Sequence, residues 1–341
     1  MSDDVRVALV GYGMAGREIH GPLLRAAPGL RVTHVVTSDP ERAAAAAREL
    51  DGPAVVPTAE AVWDAADEVD VVVLASPNHV HAEQARAAIE AGIAVVVDKP
   101  LATNLADAVG LADLADARRV PLTVFQNRRW DSEHLTARRV LDEGVLGDVV
   151  RYEARYERWR PVPKDRWREN MSTDEGGGLL LDLQSHLVDG AIHLLGPVVS
   201  VYAELSAVST RGDDVTFLAL EHRSGVRSHL GATSLAGVHG PRLRLLGRAA
   251  AYLVANVADE SSSHRDWDDL DEGHRGWLVR GDERVPVRRA SGGWADFYPA
   301  VVAMVRDGAP PPVPARDAVA TMQVLDAARR SVREGTVVHL P

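Results

Sequence analysis

Residues 5–16 read VRVALVGYGMAG, and this stretch decides the fold of the first part of the chain. The apolar run over residues 5–10 predicts a buried β-strand. Gly11, Gly13 and Gly16 follow it with the spacing G-x-G-x-x-G. In dinucleotide-binding turns the first glycine permits a sharp turn, the second lets the backbone approach a pyrophosphate, and the third lets the next helix pack closely. The stretch therefore predicts a nucleotide site at the positive end of a helix, and a glycine turn without a ligand is the simpler alternative.

The composition narrows the class of protein. A length of 341 residues suggests two domains, and 46% apolar with 26% charged residues is ordinary for a globular protein. The formal net charge of −11 argues against a nucleic-acid partner, and no apolar run approaches the ~20 residues of a membrane span. The chain has no cysteine, which excludes disulfides, thiolate metal sites and thiol nucleophiles. The acidic start, MSDD, leads straight into the first predicted strand, so we expect no signal peptide and a cytoplasmic location.

The residues after the second predicted strand bear on the choice of cofactor. An NAD-binding fold usually places an acidic residue here, where it accepts hydrogen bonds from the ribose hydroxyls. This chain instead has Thr37 and Ser38, with Arg42 one helical turn further on, and this set could receive a 2′-phosphate. The pattern favours NADP over NAD. Two alternatives remain for Asp39, which could contact the ribose or only cap the helix predicted over residues 41–50.

Polar residues follow two more predicted strands. The runs at residues 69–75 and 93–97 are typical of buried parallel strands, and ligands bind at the carboxyl ends of such strands. The segment 76–78, Ser-Pro-Asn, is therefore well placed against a cofactor, and Lys99 could hydrogen-bond a substrate hydroxyl or tune a neighbouring base. A turn that caps a helix and a surface lysine are the respective alternatives. The alternation of strands and helices up to residue 125 predicts a doubly wound domain.

An aspartate and a histidine share one predicted helix in the second half, at residues 179–195. Asp182 and His186 are four positions apart, which puts them on one helix face, and such a pair suits acid/base chemistry. Asp189 and His193 repeat the spacing and suggest a metal site. The four side chains would span about 16 Å of helix, too far for one ion, so we predict no metal. A polar helix face without chemistry is the alternative for both pairs.

A second sheet is predicted after the doubly wound domain. Residues 149–159 alternate like a strand, and residues 198–253 predict four strands with turns at 211–212, 224–225 and 247–248. Such a mostly antiparallel, open sheet offers one face to helices and the other to a partner subunit, so we expect a homodimer or homotetramer. The pattern further predicts a surface loop at 259–276 and helices at 294–306 and 315–333.

Several motifs together resemble the Gfo/Idh/MocA family, the relatives of glucose–fructose oxidoreductase and inositol dehydrogenase. They are GYGMAG at 11–16, SPNHVH at 76–81, DKPLATN at 98–104 and GGGLLLDLQSHLVD at 176–189. Two others, QNRRWD at 126–131 and RWRE at 166–169, are similar to the NADP-dependent scyllo-inositol dehydrogenases. The resemblance covers essentially the whole chain.

The resemblance implies an α/β fold in two parts. A Rossmann domain with a doubly wound parallel sheet would occupy residues 1–126, and an α+β domain with an open, mostly antiparallel sheet would occupy residues 127–341, bind the substrate and form the oligomer. The implied activity is hydride transfer between NADP, or NAD, and a secondary alcohol or ketone of a cyclic polyol such as inositol, or of a sugar. The alternatives are an imine or enone reductase and a dinucleotide-sensing regulator without chemistry. Such a regulator would discard Lys99 or His186, and this chain has both.

The resemblance also implies roles for individual residues. Lys99, Asp182 and His186 match the family's catalytic lysine, aspartate and histidine. The implied substrate-binding residues are these three together with Arg129, Trp167 and Arg168. The implied cofactor-binding residues are Gly11, Tyr12, Gly13, Met14, Ala15, Gly16, Thr37, Ser38, Arg42, Ser76, Pro77, Asn78, His81, Asp98, Lys99, Pro100 and Asn127.

Two positions depart from the family pattern. Asp98 stands where the family usually has glutamate, which keeps the charge but shortens its reach. Gln184 stands where a small glycine is usual, and we expect it to put a larger amide beside the site. Because of the second departure, the substrates of relatives are a weaker guide to the substrate of this chain.

Overall fold

The computed structural model describes residues 4–255 and 270–341. Contacts within the chain define two compact units: Met1–Asn127 with Gly293–Val319, and Arg128–Gly292 with Ala320–Pro341. The sequence suggested a single change of domain, at residue 127. The structure differs, because residues 293–319 group with the first unit.

Six strands form the sheet of the first unit in the described ranges. They are β1 (Val5–Val10), β2 (Leu30–Val36), β3 (Ala54–Val56), β4 (Val71–Leu74), β5 (Ala94–Asp98) and β6 (Leu122–Phe125). Their order is β3-β2-β1-β4-β5-β6, and every neighbouring pair is parallel. The predicted doubly wound sheet is confirmed. The order reverses between β1 and β4, which is where such sheets bind ligands.

The α-helices of the described residues are numbered in chain order. They are α1 (Gly21–Ala26), α2 (Pro40–Glu49), α3 (Glu60–Trp63), α4 (His81–Glu90), α5 (Leu105–Arg118), α6 (Ser132–Asp142), α7 (Trp167–Asn170), α8 (Ser185–Leu195), α9 (Phe297–Asp307) and α10 (Ala315–Glu334). A π-helical segment, Ala15–His20, precedes α1, and another, Leu180–Gln184, precedes α8. The single α-helix predicted over 179–195 is thus corrected to a π-helical turn followed by α8. None of the described helices has the length and apolar character that a membrane span requires.

Aromatic packing explains why the chain returns to the first unit. Phe297 and Tyr298, at the start of α9, are 0% and 1% exposed. The Phe297 ring lies edge-on to Phe125 at the end of β6, with 4.8 Å between the ring centroids. The Tyr298 hydroxyl lies 2.6 Å from Nδ1 of His20, which follows the glycine turn. This buried cluster ties α9 to the helix and strand beside the predicted nucleotide site.

Nine strands form the sheet of the second unit within the described ranges. They are β7 (Val149–Glu157), β8 (Val198–Ser206), β9 (Val215–His222), β10 (Arg227–Thr233), β11 (Leu243–Gly247), β12 (Ala251–Val254), β13 (His274–Arg280), β14 (Glu283–Arg288) and β15 (Val338–His339). Their order is β14-β13-β12-β11-β7-β10-β9-β8-β15. Only the β7–β10 pair is parallel among these described strands, so the mostly antiparallel sheet is confirmed.

The strand prediction needs two corrections. Residues 198–253 hold β8 to β11 and most of β12, because the connection at residues 234–242 also breaks the chain and contains Gly237 and Gly240-Pro241. In the loop predicted at 259–276, residues 259–269 lie outside the described residues, and β13 begins at His274.

The core of the second unit lies between this sheet and α8. Alternate residues of β9 and β10 are buried, among them Leu218, Leu220 and Leu230. On α8, Val188 and Ala191 are 0% exposed, and the helix contacts β7 and β10. The core therefore holds α8, which carries His186, against the inner face of the sheet.

Candidate active site

The glycine turn has the steric features of a dinucleotide site. Gly11 has φ +94°, and a Cβ there would lie 2.8 Å from the carbonyl oxygen of Ala75. A Cβ on Gly16 would lie 2.0 Å from the carbonyl oxygen of Gly11. A Cβ on Gly13 would meet only a guanidinium nitrogen of Arg42, 3.9 Å away. Packing thus requires the first and third glycines, whereas the second leaves the open space that a pyrophosphate would occupy, so the turn fits the cofactor.

This contrast predicts different effects for two matched substitutions. Gly13→Ala is expected to weaken dinucleotide binding about tenfold, or ~1.4 kcal/mol, because the added methyl meets no backbone atom, only the end of the Arg42 side chain, but enters the phosphate space. Gly16→Ala is expected to lower the melting temperature of the free protein, because its methyl meets backbone. Calorimetric titration with NADP⁺ and thermal melts measure the two effects. Unchanged affinity in Gly13→Ala would contradict this role of the turn.

The residues after β2 include an aspartate that caps α2 and an arginine that carries a positive charge close to the glycine turn. The Asp39 carboxylate accepts hydrogen bonds from the backbone N–H groups of Glu41 (2.9 Å) and Arg42 (3.0 Å), and these bonds lower the pKa of Asp39. The capping interpretation of Asp39 therefore holds in the structure. Nε of Arg42 lies 3.6 Å from this carboxylate, and another of its nitrogens faces Gly13. Thr37, which follows β2 directly, is half-buried, and Ser38 is exposed.

The ends of β4 and β5 are joined by a buried histidine. His81 is 1% exposed, with Nδ1 2.9 Å from the carbonyl oxygen of Pro100 and Nε2 2.9 Å from that of Ser76. Burial lowers the pKa of His81. The Ser76 hydroxyl donates to Gln84 at 2.6 Å. His81 thus holds two strand-end loops together, and its ring nitrogens are occupied by protein groups.

A second buried histidine, His20, lies next to the carboxylate of Asp98. It is 0% exposed, and its Nε2 lies 3.9 Å from Oδ2 of Asp98 while its other nitrogen faces Tyr298. The other Asp98 oxygen accepts the backbone N–H of Lys99 at 2.8 Å. Burial alone would raise the pKa of Asp98, but His20 and Lys99 outweigh it, so the pKa lies below its usual range. The peptide bond between Lys99 and Pro100 is cis.

Other predicted cofactor residues differ in accessibility. Met14 is 49% exposed, and Ala15 and Pro77 are half-buried. Asn78 and Asn127 are buried. Tyr12 is buried as well, and its hydroxyl donates to Glu49 at 2.9 Å, so its side chain serves the packing of α2.

The second unit positions the predicted acid/base pair. Asp182 lies in the π-helical turn, and its carboxylate is 3.4 Å from Nε of Arg168. His186 lies in the first turn of α8 and is 9% exposed. The guanidinium of Arg168 also stacks over the ring of Trp167, 4.6 Å from its centroid. π-Helical turns are often found at functional sites, because the extra residue redirects the side chains of the helix.

The remaining polar residues of α8 have structural partners. Arg129 donates two hydrogen bonds, of 2.8 and 2.7 Å, to the Asp189 carboxylate, and both residues are buried. His134 Nε2 lies 2.8 Å from His193 Nδ1, and burial together with this neighbour lowers the pKa of His134 to about 3. The polar interpretation of Asp189 and His193 therefore fits better than a metal site. Arg129 lines the same cavity as His186, although its guanidinium is used by Asp189.

The structure corrects the prediction that Gln184 puts its amide beside the site. It is 0% exposed, and its amide nitrogen donates to the Thr216 hydroxyl at 3.0 Å and to the Leu230 carbonyl at 3.1 Å. The larger amide is therefore fully buried and bonded to β9 and β10, where we expected it beside the site. The reason is a pair of long-range hydrogen bonds, because both partners of the amide lie on strands 32 and 46 positions away in the chain.

Comparisons with known proteins agree with this fold and with the glycine turn. Residues 5–126 match the oxidoreductase family with an NAD-binding Rossmann fold, and residues 134–253 match the GFO/IDH/MocA C-terminal domain. The chain is 32% identical to the oxidoreductase YdgJ of Escherichia coli over 100% of both chains. It is 28% identical to the scyllo-inositol 2-dehydrogenase (NADP(+)) IolW of Bacillus subtilis, over 99% of this chain and 96% of that one.

Solved structures give the same assignment. An NAD-binding protein from Listeria innocua superposes with a TM-score of 0.84 at 26% identity, covering 98% of this chain and 97% of the other. The protein yvaA of Bacillus subtilis superposes with a TM-score of 0.88 at 28% identity, covering 100% and 99%. Both domains and full-length relatives thus lead to one conclusion: the chain belongs to the Gfo/Idh/MocA family of oxidoreductases.

Proposed function

We propose that the chain is an NAD(P)-dependent dehydrogenase that oxidises a secondary alcohol of a cyclic polyol or sugar, or reduces the corresponding ketone. The supporting observation is that a glycine turn open to a pyrophosphate and a nearly buried histidine next to a π-helical turn occur in one chain. Full-length relatives point to this substrate class, since they include IolW and, at 27% identity, the D-apiose dehydrogenase of Paraburkholderia graminis.

The proposed chemistry assigns one task to each residue. His186 takes the proton of the substrate hydroxyl as general base, a task for which imidazole is suited near neutral pH. Lys99 hydrogen-bonds a substrate oxygen and stabilises the charge that develops on it. Asp182, held by Arg168, orients the substrate and His186. When bound, the nicotinamide supplies the acceptor of the hydride at C4.

The experiment is a screen of polyols and aldoses with NADP⁺ and NAD⁺ in parallel, following the absorbance of the reduced cofactor. Inositols and sugars with a free secondary hydroxyl are expected to give reduction. A complete lack of reduction with cyclic polyols and sugars, while a cyclic imine or an enone oxidises NADPH, would replace this proposal with the reductase alternative.

We also propose NADP as the preferred cofactor, because Arg42 reaches the glycine turn and the Asp39 carboxylate is engaged as a helix cap. Arg42→Ala is expected to weaken NADP⁺ binding about tenfold or more and to leave NAD⁺ binding within a few-fold, since only NADP⁺ carries the 2′-phosphate. Arg48→Ala, an exposed arginine of the same helix, controls for net charge. Equal losses for both dinucleotides in Arg42→Ala would refute the preference.

A homo-oligomer that assembles through the second sheet is part of the proposal. The outer face of this sheet carries Phe217, which lies 5.8 Å from His229 between ring centroids, and the carboxylate of Glu153 with Arg155 and Arg244 around it. Such a mixture of aromatic and arginine side chains is enriched in protein interfaces. Light scattering of the full chain tests it, and a monomer at micromolar concentration would contradict it.

A further inference from the structure

Tyr156 is a buried residue near His186 that the proposed chemistry does not use. It lies at an inward-facing position of β7 and is 4% exposed. Its ring centroid is 6.3 Å from that of His186, in an edge-on arrangement. Both side chains line one cavity of the second unit, between α8 and the sheet. A ligand group that enters this cavity would meet Tyr156 and His186 together.

Two guanidinium groups surround the Tyr156 ring. The Arg242 guanidinium carbon lies 3.6 Å from the ring centroid, and that of Arg128 lies 5.6 Å away. Arg242 is in turn held by Glu133, with 3.4 Å between Nε and the nearer carboxylate oxygen. These cation–π contacts fix the ring in place, so the position of its hydroxyl is set before any ligand arrives.

The Tyr156 hydroxyl has no hydrogen-bond partner among the described residues, although it is buried. Leaving a buried hydroxyl unsatisfied is destabilising, and native proteins rarely do so without a reason. Tyr252, on β12 of the same sheet, shows the ordinary arrangement, because its hydroxyl donates to the carbonyl oxygen of Arg275 at 2.6 Å. The two tyrosines therefore differ in whether the hydroxyl is hydrogen-bonded within the described fold, and this difference matters for ligand binding.

The protonation state of Tyr156 makes it a donor. Burial raises the pKa of its phenol, and the opposing effect of Arg242 and Arg128 is smaller. The phenol therefore keeps its proton at neutral pH and has a hydrogen to offer. A hydroxyl or carbonyl oxygen of a ligand is the matching acceptor.

We propose that the Tyr156 hydroxyl donates a hydrogen bond to a substrate oxygen in the cavity that it shares with His186, which makes Tyr156 a specificity-determining residue. The inference rests on the proposed function for the class of substrate, a polyhydroxylated ring. A site that holds an unpaired polar group favours ligands that satisfy it and rejects analogues that lack the matching oxygen. Tyr156 therefore selects for an oxygen at one ring position.

The test compares Tyr156→Phe with Tyr252→Phe, since each removes only a buried hydroxyl. In the ligand-free protein, Tyr156→Phe is expected to keep or raise the melting temperature, and Tyr252→Phe to lower it. Melting curves with NADP⁺ are then recorded with scyllo-inositol, myo-inositol, levoglucosan and D-glucose, each over a range of concentrations. At least one of these compounds is expected to stabilise the wild type and Tyr252→Phe, with an apparent Kd about tenfold higher in Tyr156→Phe.

The outcomes separate this inference from the proposed function. A drop in melting temperature for Tyr156→Phe as large as that for Tyr252→Phe would overturn it, because the hydroxyl would then be bonded within the fold. Equal apparent Kd values in the wild type and Tyr156→Phe, or no stabilisation by any compound, would overturn it too. A compound that binds in the expected way without reducing NADP⁺ would support the role of Tyr156 and count against the dehydrogenase proposal.

Discussion

Replacing His186 with alanine is expected to lower kcat about 10²- to 10⁴-fold, the usual range for a general base. The reason is that no other group would take the substrate proton at the same position. KM for the polyol is expected to change far less than kcat, because imidazole acts mainly in the transition state. Initial rates of cofactor reduction measure both constants, and circular dichroism checks that the variant is folded.

His193→Ala is the matched control on the same helix. His193 contacts His134 and has no assigned task in the reaction, so its replacement should leave kcat within a few-fold of wild type. If His186→Ala retained turnover within a few-fold of wild type, the general base would have to be another residue. His186→Asn serves as a second variant of similar size, in case the alanine variant unfolds.

Replacing Asp189 with alanine is expected to lower the free energy of unfolding by about 3–5 kcal/mol, because the buried charge of Arg129 would lose its bidentate carboxylate. The pair is bidentate, with distances of 2.8 and 2.7 Å, and its side chains are 3% and 8% exposed. Urea denaturation of the apoprotein measures the loss. Asp148→Ala, which breaks an exposed pair with Arg248, is expected to leave stability nearly unchanged.

The double variant Arg129→Met/Asp189→Ala distinguishes a buried charge from a simple loss of packing. It removes both charges, so it should be more stable than Asp189→Ala alone. A double variant no more stable than Asp189→Ala would show that the volume of the lost side chain, and not the loss of the ion pair, causes the effect.

Local patterns made much of the fold predictable from sequence. The glycine spacing of residues 11–16 and the β-branched run of β4 each depend on neighbours within a few positions, so the doubly wound sheet followed from them. The capping alternative for Asp39 also came from short-range pattern, and the structure shows those hydrogen bonds. The helix with Asp182 and His186 was found as well, although its π-helical start was not, since no residue pattern specifies that extra residue.

Long-range contacts account for what sequence reasoning missed. His20 and Tyr298 are 278 positions apart, and nothing near either residue indicates the other. The return of residues 293–319 to the first unit depends on the same cluster. Tyr156 was seen only as one residue of an alternating strand, because its guanidinium neighbours come from residues 128 and 242. Gln184 was placed beside the site from the family resemblance, and its hydrogen-bond partners on β9 and β10 lie 32 and 46 positions away.

The most direct test of the account is isotope transfer. Fully carbon-deuterated scyllo-inositol is incubated with NADP⁺ and the wild-type protein, and the reduced cofactor is analysed by mass spectrometry and NMR. Direct hydride transfer predicts one deuterium at C4 of the nicotinamide. The His186→Ala variant is expected to produce this labelled cofactor much more slowly. Reduced cofactor that contains only solvent hydrogen, or that forms equally fast with His186→Ala, would contradict the account.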